Sequence, residues 1–128
     1  MWLFLYGAVG FLQRGDRMQK LCVMKQNTEF RGAYYRGKSY VHPLLIAYVR
    51  KNRYGFPRFG ITTGKKLGKA VKRNRCRRLI REAYRQIAPQ ISGGFDMVFV
   101  ARTAMVTSSE PKVEKAMRDL LKKAGVIG

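Results

Sequence analysis

The stretch from Lys69 to Ile87 constrains the fold of this chain more than any other segment. Its apolar side chains recur every three or four residues, a spacing that places them on one face of an α-helix. The stripe consists of Cys76, Leu79, Ile80, Ala83, Tyr84 and Ile87. At about 100° per residue, the opposite face carries Asn74, Arg78, Arg81 and Arg85. The stretch therefore predicts a helix that buries one side and presents arginines on the other.

These arginines belong to a larger concentration of positive charge. The 128 residues include 27 Lys and Arg but only 7 Asp and Glu, which gives a formal net charge of +20. Fourteen of the 27 basic residues lie between Arg50 and Arg85, where Glu82 is the only acid. A merely solvated helix normally mixes both signs at a spacing of four residues. We therefore expect a polyanionic partner, whose phosphates neutralise this surface, and no small-molecule substrate.

The groups that the protein would need for catalysis of its own are sparse. A nuclease usually gathers several carboxylates around one or two metal ions, and the seven carboxylates here are scattered along the chain. His42, the only histidine, precedes Pro43 and is expected in a loop or at the start of a strand. Cys22 and Cys76 form no C-x-x-C pair, so we expect two reduced thiols rather than a metal site or a bridge. The sequence predicts no catalytic residue and no metal site on the protein.

Periodicity and turn residues predict the order α-β-β-α-β-α. The predicted elements are a helix from Asn27 or Thr28 to Gly37, strands at Leu44–Lys51, Arg58–Thr63 and Phe95–Arg102, the helix described above, and a last helix from Ser108 or Ser109 to Gly125. The turn residues between the first two strands suggest a hairpin. The fold class expected is α/β, as an α+β two-layer sandwich in which helices pack on a small central sheet.

The first 23 residues stand apart from this pattern. Residues 1–12 are apolar, but twelve residues fall short of the roughly 20 that span a bilayer, and no basic residue precedes them as in a signal peptide. We expect residues 1–23 to be an extension, either weakly structured or the product of an upstream start ahead of Met18 or Met24. Residues 24–128 are predicted to form one domain of a cytoplasmic protein with no membrane partner.

Three aromatic residues, Phe30, Tyr34 and Tyr48, have two interpretations from spacing alone. Aromatics at helical or strand spacing usually belong to the core. Beside a basic groove, however, they can stack on the bases of a single strand. The lysine-rich loop Gly64–Lys69 lacks the spacing of a nucleotide-hydrolysing phosphate loop, although its lysines and the following helix start can bind nucleic-acid phosphates.

A longer motif runs from Arg58 to Glu82. It reads R-x-G-I-x-x-x-K-K-x-G-x-A-V-x-R-N-R-x-x-R-x-x-R-E. Outside it stand N-x-x-F-x-x-x-Y from Asn27 to Tyr34, G-x-S from Gly37 to Ser39, and D-x-V-x-x-A-R from Asp96 to Arg102. Together these motifs resemble the protein component of bacterial ribonuclease P over roughly residues 24–128.

The resemblance implies a function and a fold. Members of this family assemble with a large catalytic RNA, and the complex cleaves precursor tRNA to make its mature 5′ end. The chemistry is done by Mg²⁺ ions that the RNA holds, so the protein is an endoribonuclease subunit without catalytic residues. The family fold contains a left-handed β-α-β crossover, against the usual right-handed rule.

The resemblance also implies two binding surfaces. The residues expected to bind the catalytic RNA are Lys65, Lys66, Lys69, Arg73, Asn74, Arg75 and Arg78. Those expected to bind the single-stranded 5′ leader of precursor tRNA are Phe30, Tyr34 and Tyr48, with Lys51 or Arg58. Two alternatives remain from charge and size: a small basic ribosomal or other structural RNA-binding protein, and a nuclease that acts without RNA.

Overall fold

The arginine-rich stretch forms helix α1, Ala70–Ile87, in the computed structural model, which describes residues 22–23, 32–33 and 36–128. All six residues of the predicted apolar stripe are buried. The ring of Tyr84 stacks on Phe59 with ring centres 4.1 Å apart, and it lies 5.8 Å from the ring of Phe99. These contacts fix α1 to the sheet by large aromatic surfaces.

The sheet has five described strands, two more than predicted. They are β1 (Cys22–Val23), β2 (Lys38–Val41), β3 (Leu45–Lys51), β4 (Arg58–Thr62) and β5 (Phe95–Ala101), in the spatial order β1-β4-β5-β3-β2. β4 pairs in parallel with β1 and β5, whereas β3 pairs antiparallel with β5 and β2. Because α1 connects the parallel strands β4 and β5, the three elements form a β-α-β crossover.

The predicted hairpin between β3 and β4 is wrong, because β5 lies between them. Phe99 of β5 pairs with Ala47 on one side and with Ile61 on the other. β5 is buried on both of its faces, and a strand of that kind belongs at the centre of a sheet. The hairpin joins β2 to β3 instead, through a turn in which the Leu44 N–H donates to His42 Nδ1 at 3.1 Å. His42 thus lies just before a strand, as predicted.

The two faces of the sheet are covered differently. α1 and a last helix, α2 (Glu110–Lys123), share one hydrophobic core with β3, β4 and β5. That core includes Leu45, Ala47, Val49, Phe59, Met97 and Phe99 from the sheet, and Val113, Ala116, Met117, Leu120 and Leu121 from α2. On the other face, Val98, Tyr48 and Val100 pack against Ala33, which is helical. The α+β class is confirmed.

Several predicted features fall outside the described residues. These are residues 1–21 of the predicted extension 1–23, whose last two residues form β1, and most of the predicted first helix, including Asn27, Phe30 and Tyr34. Within the described part of the chain, no helix is long and apolar enough to cross a membrane.

Cys76 is a buried free thiol, and burial raises its pKa while the nearby Arg75 lowers it to a smaller extent.

Candidate nucleic-acid interface

One flank of α1 carries a row of three half-buried arginines, Arg73, Arg77 and Arg81, spaced four residues apart. The pKa of Arg77 is lowered, first by partial burial and then by the positive charges of Arg73 and Arg81. Arg77 also donates to Asn74 Oδ1, which holds it along the helix surface. Neighbouring positive charges disfavour one another's protonated form, and the negative charges of a phosphate backbone relieve that repulsion. Arg77 was not among the predicted site residues, although its place beside the apolar stripe was visible in the sequence.

The other predicted residues of α1 divide between solvent and protein. Asn74 and Arg78 are exposed, and Arg73 is half-buried. The Nε of Arg73 is shielded from solvent and has no hydrogen-bond partner among the described residues. Arg73 therefore has donor capacity that the described protein does not use.

Arg75 is turned inward, in contrast to its neighbours in the R-N-R motif. Its Nε donates to the carbonyl of Val106 at 3.1 Å, and its Nη2 donates to the carbonyl of Ser108. These carbonyls belong to the segment between β5 and α2, which includes the 3₁₀ helix Thr103–Thr107. The guanidinium that was expected to bind RNA thus joins α1 to the residues that precede α2.

The lysine-rich loop forms a short 3₁₀ helix, Lys65–Leu67, that leads directly into α1. Leu67 is buried and anchors the loop, whereas Lys65, Lys66 and Lys69 are exposed. At Gly68 the backbone has φ +112°, and a Cβ there would lie 2.9 Å from the Lys72 side chain, so this turn requires glycine. The start of α1 has no side-chain cap and no acid in its first turn. The lysines and the exposed helix amides therefore present one continuous surface suited to phosphates.

The second surface is the sheet face that carries Tyr48. Strand pairing aligns three rows of residues on this face, because residues directly opposite one another in a sheet point to the same side. The rows are Arg58–Asp96–Arg50, Gly60–Val98–Tyr48–Ser39, and Thr62–Val100–Ile46–Val41. Tyr48 is half-buried at the middle of this face. Its predicted companions Phe30 and Tyr34 lie outside the described residues.

Arg58 is on this face but is committed to an internal ion pair. Its Nε and Nη2 donate to the two oxygens of Asp96 at 2.9 and 2.8 Å, and the two side chains are only 14% and 4% exposed. Asn52 Nδ2 donates to Asp96 Oδ1 at 2.8 Å, and this oxygen also accepts from Arg58 Nε. A paired guanidinium with this little exposure supports the sheet and offers little to a ligand.

Lys51, the alternative to Arg58, belongs to the opposite side of the sheet. It pairs with Phe95, next to Val49 and Met97 in the strand alternation, and its side chain is exposed at the end of β3. Arg50 takes the place on the Tyr48 face, and its guanidinium lies against Gly32. Sequence reasoning missed Arg50, although a strict two-residue period counted from Tyr48 would have identified it.

The described carboxylates are mostly occupied by basic partners. Four of them form ion pairs: Glu82 with Arg85 at 3.3 Å, Asp96 with Arg58 at 2.8 Å, Glu114 with Arg118 at 2.7 Å and Asp119 with Lys115 at 3.4 Å. The pKa of Glu110 is raised, first by burial and then by Glu114 and Glu82. No group of three or more metal-ligating side chains occurs among the described residues.

Comparison with known proteins identifies the family and the fold of this chain. The sequence model of the ribonuclease P family, described as "Ribonuclease P", matches residues 18–125. A ribonuclease P protein component from Clostridium botulinum is 45% identical over 104 residues, which cover 80% of this chain and 94% of that protein. The RNase P protein of Staphylococcus aureus has a similar structure, with a TM-score of 0.75 and 29% identity over 83% of this chain and 97% of that one. The RNase P protein of Thermotoga maritima has a TM-score of 0.71 and 29% identity, covering 78% and 94%.

Proposed function

Since the chain belongs to the ribonuclease P protein family, we propose that it is the protein subunit of a ribonuclease P that removes the 5′ leader of precursor tRNA. In this proposal the protein binds two RNAs. The Lys65–Lys69 loop and the arginines of α1 bind the catalytic RNA, and the sheet face around Tyr48 binds the single-stranded leader.

The observation that carries the proposal is the row Arg73, Arg77 and Arg81, which has no ion pair among the described residues and continues into the exposed lysines of the loop. Each phosphate that such a surface neutralises releases counterions, so binding gains free energy and becomes salt-dependent. Arginine is suited to this surface because its planar fork makes two-point contacts with phosphate. Arg77 joins the predicted set, whereas Arg75 acts mainly inside the protein.

In the proposal, the reaction is carried out by Mg²⁺ ions that the RNA holds. The described residues fit this division of labour, because four of the five described carboxylates are paired with basic side chains. Mg²⁺ supplies charge stabilisation and an activated water when bound. The protein's own part is to bring the two RNAs together, orient the leader and reduce their mutual repulsion. The similarity of the fold to RNase P proteins favours this function over that of a ribosomal protein.

Reconstitution tests the proposal. The purified protein is combined with the catalytic RNA of the same organism, and 5′ cleavage of a precursor tRNA is measured at low Mg²⁺ concentration. We expect the complex to produce mature 5′ ends faster than the RNA alone, and the protein with Mg²⁺ alone to cleave nothing. An identical rate with and without protein would contradict the proposal, and cleavage by the protein alone would support a nuclease that needs no RNA.

A further inference from the structure

Two aromatic rings in the loop between β3 and β4 are exposed to solvent. Tyr54 is 56% exposed and Phe56 is 43% exposed, and their ring centres are 5.8 Å apart with an interplanar angle of 41°. Large aromatic side chains stabilise a protein or a complex most when they are buried. Neighbouring aromatic side chains that are exposed to solvent therefore commonly mark a binding surface. Neither residue belongs to the two surfaces described above.

The loop holds these rings in a defined position. Asn52 Nδ2 donates to the carbonyl of Phe56 at 3.1 Å, Asn52 Oδ1 accepts from the Tyr54 N–H at 2.9 Å, and the Asn52 N–H donates to the carbonyl of Gly94 at 3.0 Å. Gly94 packs so closely that a Cβ there would lie 2.9 Å from the Gly55 nitrogen. A ligand that binds the rings therefore needs little ordering of the loop, which lowers the cost of binding.

The surroundings of the rings are positively charged. The guanidinium carbon of Arg58 lies 4.2 Å from the centre of the Tyr54 ring, and both Lys51 at the end of β3 and Arg53 within the loop are exposed. Residues 51–58 contain no acid, and the nearby Asp96 is buried in its pair with Arg58. Flat aromatic faces among cations match a ligand with flat bases and a negative backbone, and single-stranded RNA has this chemistry.

The position of the loop indicates which part of an RNA would reach it. The loop precedes Arg58 at the first residue of β4, whereas the Lys65–Leu67 helix follows the last residue, Thr62, at the other end. Five strand residues separate the two ends by about 15 Å. Tyr48 lies in the row between the Arg58 and Thr62 rows. A single-stranded RNA that starts at the Lys65–Leu67 end of β4 and crosses the Tyr48 face therefore reaches Tyr54 and Phe56 last.

We propose that Tyr54 and Phe56 form a base-stacking platform for single-stranded RNA, which binds leader nucleotides farther from the cleavage site than those on the Tyr48 face. This inference rests on the proposed function, because it takes the leader as the strand that crosses the sheet. Stacking on aromatic side chains does not depend strongly on base identity, so the platform responds to leader length more than to leader sequence.

The test uses the complete complex of protein and catalytic RNA, with precursor tRNAs that carry leaders of graded length. Tyr54→Leu and Phe56→Leu keep apolar bulk but remove the ring, whereas Tyr54→Phe and Phe56→Tyr keep the ring and serve as matched controls. We expect each Leu variant to weaken binding of long-leader substrates by about tenfold, at the low end of measured stacking effects, and to leave short-leader binding unchanged. The ring-retaining variants should bind both substrates as the parent protein does.

Three outcomes would overturn the platform: no change at any leader length, equal loss for long and short leaders, or loss of affinity for the catalytic RNA. Phe56→Leu leaves Tyr54 over Arg58, and thermal unfolding of each variant separates lost stacking from lost fold. A different result refutes the proposed function itself, namely that the parent complex does not cleave precursor tRNA. If the parent complex cleaves and the Leu variants match it at every leader length, only the platform is refuted.

Discussion

At the scale of single residues, neighbours in the sequence have different roles. Arg50 and Lys51 are both basic, but strand alternation gives Arg50 the Tyr48 face and places Lys51 on the other side of the sheet. Arg58 lies on the Tyr48 face, yet its guanidinium is occupied by Asp96. Charge in the sequence thus identifies candidates for RNA binding, and the backbone direction and the internal partners select among them.

Gly64 and Gly68 provide a test at this scale, because they flank the same loop with different backbone conformations. Gly64 has φ −83° and ψ 169°, and a Cβ there meets nothing within 4 Å. Gly64→Ala should therefore stabilise the protein by about 0.4–1 kcal/mol, since it reduces the freedom of the unfolded chain. Gly68→Ala, the matched control at φ +112°, should destabilise it by about 1–3 kcal/mol. Urea unfolding measures both, and a destabilising Gly64→Ala would contradict the loop geometry.

At the scale of elements, α1 combines the proposed RNA-binding surface with an internal support. Its apolar stripe packs into the core, its row of half-buried arginines flanks that stripe, and Arg75 reaches the backbone before α2. Two carbonyl groups of the Val106–Ser108 segment depend on this one guanidinium, because its fork can donate to both at once. The position of α2 is thereby linked to the same helix that carries the proposed RNA-binding residues.

Replacing Arg75 tests its role as an internal support of the fold. Arg75→Lys keeps the positive charge but replaces the fork with a single ammonium, so we expect a stability loss of about 1–3 kcal/mol because the carbonyls no longer both have a donor. Arg78→Lys is the matched control, because Arg78 is exposed on the same helix, and it should change stability by less than about 0.5 kcal/mol. Denaturant unfolding gives both values. Equal stability of the two variants would show that the hydrogen bonds of Arg75 contribute nothing to the fold.

At the scale of the whole molecule, the two proposed RNA surfaces lie on different sides of the sheet. α1 packs on the face with Phe59 and Phe99, and the arginines Arg73, Arg77 and Arg81 lie outside the apolar stripe that makes this contact. Tyr48 lies on the other face, beside Val98 and Ala33. A protein with this arrangement can contact two RNAs at once, and its positive charge then reduces the repulsion between them.

The two surfaces should therefore be separable by mutation. Combined Arg73→Ala and Arg77→Ala should weaken binding of the catalytic RNA and reduce the slope of log K against log salt by about one for each phosphate that the protein no longer neutralises. Tyr48→Ala should weaken binding of precursor tRNA but not of mature tRNA, and Tyr48→Phe should preserve it because the ring remains. Salt titrations and paired binding assays measure these effects. Equal losses for precursor and mature tRNA would contradict the leader assignment.

The sequence by itself determined the last two helices, their core stripes and the family. The six stripe residues from Cys76 to Ile87 are all buried, as predicted. The ends of strands β3 to β5 were predicted to within one residue, because hydrophobic periodicity is a local property. The motif from Arg58 to Glu82 identified the family because its spacing is long and specific. The short edge strand β2 was missed, since its four residues are mostly exposed and carry little periodic signal.

Only the tertiary structure decided strand order and the use of each charge. The insertion of β5 between β3 and β4 depends on pairing between residues 38 to 56 positions apart, such as Ala47 with Phe99, and no local pattern encodes that choice. The same holds for Arg58 with Asp96 and for Arg75 with the carbonyls before α2. Local spacing gives a side chain its direction, but its partner comes from another part of the chain, and the fold alone brings the two together.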